Sequence, residues 1–126
     1  MEKAIYFDAT EDTPKVVLDK EKMKFEISGR SLPEDAEKFY ETALNWMRNY
    51  ANEPSSFTDF NINLEYFNSG SVKQVLKILI TLEKVVKNGG KVSITWFYNQ
   101  DDELMEIKGQ EIKSILKIPF HLKIIE

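Results

Sequence analysis

The chain contains no cysteine. That excludes a disulfide framework, thiolate metal sites and thiol nucleophiles, and it suits a reducing compartment. Glycine and proline are scarce, at 5 and 4 of 126 residues, and no repeat or low-complexity linker interrupts the sequence. The expectation is one domain over residues 1–126. Long apolar runs are missing too. Val75 to Val86 comes nearest, but Lys77, Glu83 and Lys84 leave it too short and too charged to cross a bilayer. Met1-Glu2-Lys3 leads into only Ala4-Ile5-Tyr6-Phe7 before Asp8, which does not read as a signal peptide. A cytoplasmic location, without a membrane partner, is expected.

Basic charge is not in excess. A net charge of −4 and a pI near 5.1 argue against phosphate-backbone binding, so no nucleic-acid partner is expected. The aromatics fall at core periods and do not interleave with basic residues, as a nucleic-acid reader would require.

Catalytic patterns are also lacking. His121 is the sole histidine and stands beside Phe120 with no serine nucleophile motif, so it reads as a structural or surface residue. Gly89-Gly90-Lys91 lacks the first glycine and the terminal hydroxyl of a phosphate-binding loop, and it precedes a strand. The densest acidic cluster, Asp101-Asp102-Glu103 with Glu106, lacks calcium-loop spacing and reads as a solvated turn. A small metal-dependent hydrolase built on that cluster is the enzymatic alternative. The expectation is no enzyme and no cofactor.

What the sequence does hold is periodicity. Hydrophobic residues at 42% and aromatics at 12% suffice for a packed globule. Ile5–Phe7 and Val16–Leu18 are short strand candidates. Met23, Phe25 and Ile27 alternate with polar residues until Gly29, where this strand is expected to end. Ser31-Leu-Pro-Glu34 resembles a capping box for a first helix carrying Ala36, Phe39, Tyr40, Ala43, Met47 and Tyr50. Phe60, Ile62, Leu64 and Tyr66 alternate with Asn61, Asn63 and Glu65 as a strand. The strongest helix follows, with Val72, Val75, Leu76, Leu79, Leu82 and Val86 in one stripe, stopped at Gly89-Gly90. Val92, Ile94, Trp96 and Tyr98 predict another strand, Gln110 to Lys117 a shorter helix, and Leu122 to Ile125 a last strand.

Strands that alternate with helices imply parallel βαβ units. Yet Asn61, Asn63, Ser93 and Thr95 give two of these strands a polar face, whereas a doubly covered sheet requires continuous apolar runs. The pattern therefore predicts an α/β fold, a mixed sheet with helices packed mainly on one face and the other face largely open.

Asn68-Ser69-Gly70-Ser71 joins a strand directly to the strongest helix. Free N–H groups of that helix's first turn point into it. Ser71 with Gln74 would form a capping box, and capping alone suffices to explain the turn. A phosphate on Ser69 would instead place about −1.5 to −2 charges beside a partially positive helix end, a charge the fold could tolerate and a partner could sense.

The stretch Tyr66-Phe-Asn-Ser-Gly-Ser-Val-Lys73 resembles the signature of the SiaC family of regulatory phosphoproteins, STAS-like domains related in fold to anti-anti-sigma factors. Gly29-Arg-Ser-Leu-Pro-Glu34, Trp46, Trp96-Phe-Tyr98, Asp102, Gly109 and Pro119-Phe120 follow in the family's order, so the resemblance covers nearly the whole chain. It implies that a kinase with a histidine-kinase-like ATPase fold phosphorylates the hydroxyl after the signature asparagine. That residue is Ser69, where the family often has threonine; Ser71 is the second candidate. It further implies a PP2C-type phosphatase that removes the phosphate. The unphosphorylated form is expected to bind and activate a diguanylate cyclase (a GGDEF protein), raising cyclic di-GMP and favouring biofilm growth. The implied partner-binding residues are Tyr66, Asn68, Ser69, Gly70, Ser71 and Lys73. An anti-anti-sigma or stressosome-like partner-switching component is the alternative that would use the same switch.

Overall fold

A computed structural model describes residues 3–125; Met1, Glu2 and Glu126 lie outside the described residues, and with them the first residues of the signal-peptide reading. Nine elements follow one another: β1 (Ile5–Phe7), β2 (Lys15–Asp19), β3 (Lys24–Ser31), α1 (Ala36–Tyr50), β4 (Phe57–Phe67), α2 (Ser69–Lys87), β5 (Lys91–Asn99), α3 (Glu103–Ile115) and β6 (Phe120–Ile125). The strands form one sheet in chain order, β1 to β6. β1, β2 and β3 are antiparallel neighbours, and β3, β4, β5 and β6 are parallel.

Because the strand order never reverses, right-handed crossovers place all three connecting helices on the same face of the sheet. Burial agrees. Thr58, Phe60, Ile62 and Leu64 are buried on β4 while Asn61 and Asn63 are half-buried, and β5 alternates in the same way. The mixed sheet with one open, polar face is thus borne out.

The core lies between that sheet and the helices. Tyr40 and Met47 from α1 and Ile78, Leu79, Leu82 and Val85 from α2 are fully buried with Phe25, Phe60, Ile62, Ile94 and Trp96. The α2 stripe is rotated from the expected one: Ile78 and Val85 are inside, whereas Val86 is exposed.

Two helix starts differ from the sequence expectation. The N-cap of α1 is Asp35, whose carboxylate accepts from the Lys38 amide at 3.1 Å; Ser31 lies in β3, which runs on through Gly29. α3 begins at Glu103, capped by Asp102, and covers residues far upstream of the expected Gln110. The acidic cluster is therefore a helix cap and first turn, where carboxylates favour the helix dipole. Gly109 in the middle of α3 disguised its helical pattern. A Cβ there would stand 2.7 Å from Trp96 Cδ1 and 2.9 Å from Leu122 Cδ2, so the glycine is what lets α3 approach the sheet. Trp96 Nε1 then donates to the Met105 carbonyl at 3.0 Å.

A second feature concerns register. Gly29 pairs with Leu64 but Arg30 pairs with Tyr66, so Glu65 is an extra residue on β4. Gly29 carries φ +106, a backbone conformation that other residues adopt only with strain. Such a bulge bends its strand and reverses side-chain parity beyond it. Tyr66, which strict alternation would bury, is 59% exposed, and Phe67 packs on the core instead.

Two predictions follow from this packing. Gly109→Ala should gain about 1 kcal/mol in helix propensity. Overpacking against Trp96 should outweigh it, for a net loss of about 1–2 kcal/mol in urea unfolding; an unchanged or raised midpoint would refute the close-approach argument. At the sheet edge, the Tyr6 hydroxyl donates to the Asp19 carboxylate. That bond and the one from the Lys22 amide hold the Asp19 carboxyl below its ordinary range. A carboxyl lowered on folding stabilises at neutral pH and loses that contribution as pH falls through its folded value. The stability difference between Tyr6→Phe and the parent should therefore shrink as pH drops below about 4, read from denaturation midpoints at neutral and acid pH.

Candidate functional site

β4 ends at Phe67, and a single residue, Asn68, turns the chain into α2. Asn68 is extended (φ −95, ψ 169), and its side-chain oxygen accepts from the Ser71 amide at 2.9 Å. It is the N-cap of α2; the expected Ser71–Gln74 capping box is not formed. Its Nδ2 donates to the Pro33 carbonyl at 3.0 Å, and its backbone N–H donates to the Ser31 carbonyl at 3.0 Å. One side chain and one amide thus pin the turn to the end of β3.

Ser71 faces inward and is fully buried with Ser31 and Tyr40. The Ser71 hydroxyl donates to the Ser31 carbonyl at 3.0 Å, and the Ser31 hydroxyl donates to Ser71 Oγ at 2.7 Å. That leaves the Tyr40 hydroxyl, 2.6 Å from Ser31 Oγ, as donor to it. Burial pushes the Tyr40 phenol up to about 12, so the relay stays neutral and intact at physiological pH. Sequence reasoning missed Ser31 and Tyr40. A usable signal existed: Ser31 continues the inward parity of Phe25 and Ile27, which marks a polar residue pointing into a core.

Ser69 is the first residue of α2 and is exposed, and its hydroxyl makes no hydrogen bond among the described residues. α1 has Glu37 in its first turn and α3 has Glu103 and Glu106, but α2 has no acidic residue there. The first turn of this 19-residue helix therefore carries no anion of its own beside an open hydroxyl. Gly70 is also exposed; a Cβ on it would meet the Ala36 Cβ at 3.2 Å, close enough to press on α1. Lys73, exposed one turn on, is at the i+4 spacing from Ser69 that favours pairing. Tyr66 stands outside the bulge with the Arg30 guanidinium 5.3 Å from its ring centre. Tyr66, Asn68, Ser69, Gly70 and Lys73 therefore share one accessible end of the molecule, and Ser71 lies beneath it.

His121 is exposed on β6, far along the chain from this turn. Among the described residues, no group of three or more histidine or acidic side chains is placed to hold a metal ion. No helix among them is long and apolar enough to cross a membrane.

The exposed Ser69 hydroxyl thus stands on a strand-to-helix turn that hydrogen bonds from Asn68 to Ser31 and Pro33 hold in place. Residues 7–125 match the SiaC family of regulatory phosphoproteins, and the chain belongs to that family. An uncharacterised protein of Pseudomonas aeruginosa strain UCBPP-PA14 is 23% identical over 119 residues, 94% of either chain. Among solved structures, apo-SiaC of Pseudomonas aeruginosa matches with a TM-score of 0.86 at 21% identity, covering 97% of this chain and 99% of that one. A chain from the complex of the diguanylate cyclase SiaD with its activator SiaC, from the same species, matches with a TM-score of 0.87 at 22% identity. The match covers 96% of this chain and 99% of that one. These likenesses establish the shared fold.

The relay yields a prediction. Ser71→Ala removes a donor and leaves the Ser31 carbonyl and hydroxyl short of partners, which should cost about 1–3 kcal/mol. Ser69→Ala should change stability by less than about 0.5 kcal/mol. Urea unfolding of both variants checks the contrast, and equal losses would contradict the inside–outside division of the two serines.

Proposed function

We propose that this protein is a non-enzymatic binding module switched by reversible phosphorylation of Ser69. The observation that carries the reading is the exposed Ser69 hydroxyl at the amino end of α2, the helix with no acid in its first turn. A phosphate there would complement the helix dipole by about 0.3–1 kcal/mol, so modification leaves the fold intact. It would also add about −1.5 to −2 charges to the surface formed by Tyr66, Asn68, Gly70 and Lys73. A partner fitted to the neutral turn would then be repelled, or would lose contacts, without any unfolding.

Family membership supports a regulatory phosphoprotein. The solved complex in which SiaC is the activator of diguanylate cyclase SiaD supports a diguanylate cyclase as the partner, and in our reading it is the unphosphorylated form that binds and activates it. In that scheme a kinase with a histidine-kinase-like ATPase fold adds the phosphate and a PP2C-type phosphatase removes it. The output is cyclic di-GMP and biofilm control. The buried position of Ser71 favours Ser69 over it as the modified residue, because phosphorylation at position 71 would need the relay to open first.

Co-expression with the cognate kinase should raise the intact mass by one phosphate. Ser69→Ala should abolish the shift and Ser71→Ala should retain it; the reverse pattern would overturn the assignment. Unphosphorylated protein used as bait should recover a GGDEF protein, and recovery of an anti-sigma factor would redirect the function to sigma-factor partner switching.

A further inference from the structure

The sheet is split at one end. β4 and β5 pair from Phe57↔Lys91 to Ile62↔Trp96, and there the ladder stops. Both strands continue, β4 to Phe67 alongside β3 alone and β5 to Asn99 alongside β6 alone. The bulge at Glu65 lies three residues beyond Ile62, the last residue paired with β5, and bends the unpaired end of β4 further. From Asn63 onward, β4 has a strand on one side only.

The gap is a groove. A cavity of about 470 Å³ is bounded by Asn63 to Glu65 on one wall and by Asn99, Asp101 and Asp102 on the other. It shares Glu65 and Asp102 with a second depression of about 340 Å³ under Tyr66, Leu104 and Lys108. It shares Asn63 and Ile125 with a third on the open face. The three depressions are neighbours along this end of the sheet, from its open face to the α3 side.

We infer that this split receives an extended, basic segment of a partner protein, which pairs with the free edge of β4 between Asn63 and Phe67. The inference rests on the reading above in one respect, that a protein partner is what the domain serves. Three features select this occupant. A strand edge without a neighbour offers main-chain donors and acceptors to an extended chain, and to little else. The depression between the two strands is lined by Glu65, Asp101 and Asp102 and by no basic residue, which favours lysine or arginine on the incoming chain. The Lys108 charge on the α3 side is offset by Glu111 at 2.8 Å, and Lys123 lies on the open face over Phe97. On the α3 side Leu104 is 77% exposed and Tyr66 59%, giving apolar anchors for the alternate side chains of a strand. The segment would end beside Asn68 and Ser69, next to the switch.

The test uses the full, unphosphorylated chain and two synthetic octapeptides, one alternating lysine with valine and one alternating glutamate with valine. Amide hydrogen exchange followed by NMR should show roughly tenfold slowing between residues 63 and 67 with the basic peptide and none with the acidic one. Reversing two rim charges, Glu65→Lys with Asp101→Lys, should weaken basic-peptide binding by about tenfold if each charge is worth about 0.7 kcal/mol. Raising the salt concentration on the unaltered protein should weaken it in the same direction, so the result does not depend on the variant folding. Absence of slowing in this segment, or equal slowing by both peptides, would overturn the inference. A chain that takes the peptide but is never phosphorylated at Ser69 would remove the phosphoswitch and leave the split, and the opposite result would do the reverse.

Discussion

The Ser31 carbonyl is the point on which the functional end of this molecule depends. It accepts from the Asn68 amide and from the Ser71 hydroxyl, each at 3.0 Å. Asn68 caps α2 and holds the Pro33 carbonyl, while the Ser31 hydroxyl links Ser71 to Tyr40 on α1. The last residue of β3, the first turn of α2 and the second turn of α1 are thereby fixed to one another. Among the described residues, no buried side-chain nitrogen or oxygen lacks a hydrogen-bond partner. A fully satisfied buried network adds rigidity, and a broken one costs the desolvation of every orphaned group. The turn that presents Ser69 is consequently a preformed surface and not a loose loop.

The bulge at Glu65 does the complementary work on the outside. Without the extra residue, Tyr66 would point into the core and Phe67 out. With it, Phe67 packs inward, Tyr66 faces solvent against Arg30, and Asn68 arrives in register to meet Ser31. The pairing of β4 with β5 has already ended at Ile62↔Trp96, three residues before the bulge. One added residue thus sets the capping geometry and the exposed aromatic.

Much of this was legible in the sequence, and the failures share a physical origin. The polar residues alternating along β4 and β5 revealed an open face because burial against helices on one side is a local, period-two signal. The hydroxyl at position 69 stands where a strand and a strong helix meet with one residue between them, but capping alone accounts for such a turn, and the resemblance to the family signature is what singles Ser69 out. Both capping boxes were misplaced for one reason. Ser31 and Ser71 each have the local pattern of an N-cap, but they are 40 residues apart in sequence and hydrogen-bonded to each other. Asp35 and Asn68 cap the helices in their place. No local window contains such a pairing. Tyr66 was misread because alternation assumes an unbulged strand, and α3 because Gly109 answers to Trp96 across the core and not to helix propensity.

Under the proposed switch, stability and signalling are separated by orientation along one helical turn. Ser71 points inward, and its hydrogen bonds belong to the fold; Ser69 points outward, and its hydroxyl belongs to none of them. A phosphate on Ser69 would shift stability by a few tenths to about 1 kcal/mol, small against the roughly 5–15 kcal/mol that holds such a domain together. The same group in a fitted interface would face a desolvation and repulsion penalty of several kcal/mol, enough to change occupancy by orders of magnitude. Glu65, four residues upstream, and the acidic first turn of α3 would add to that repulsion for an acidic partner. A basic segment in the split would be attracted by these carboxylates and by the phosphate alike, so its release on modification would rest on the bulk and desolvation of the phosphate and not on repulsion.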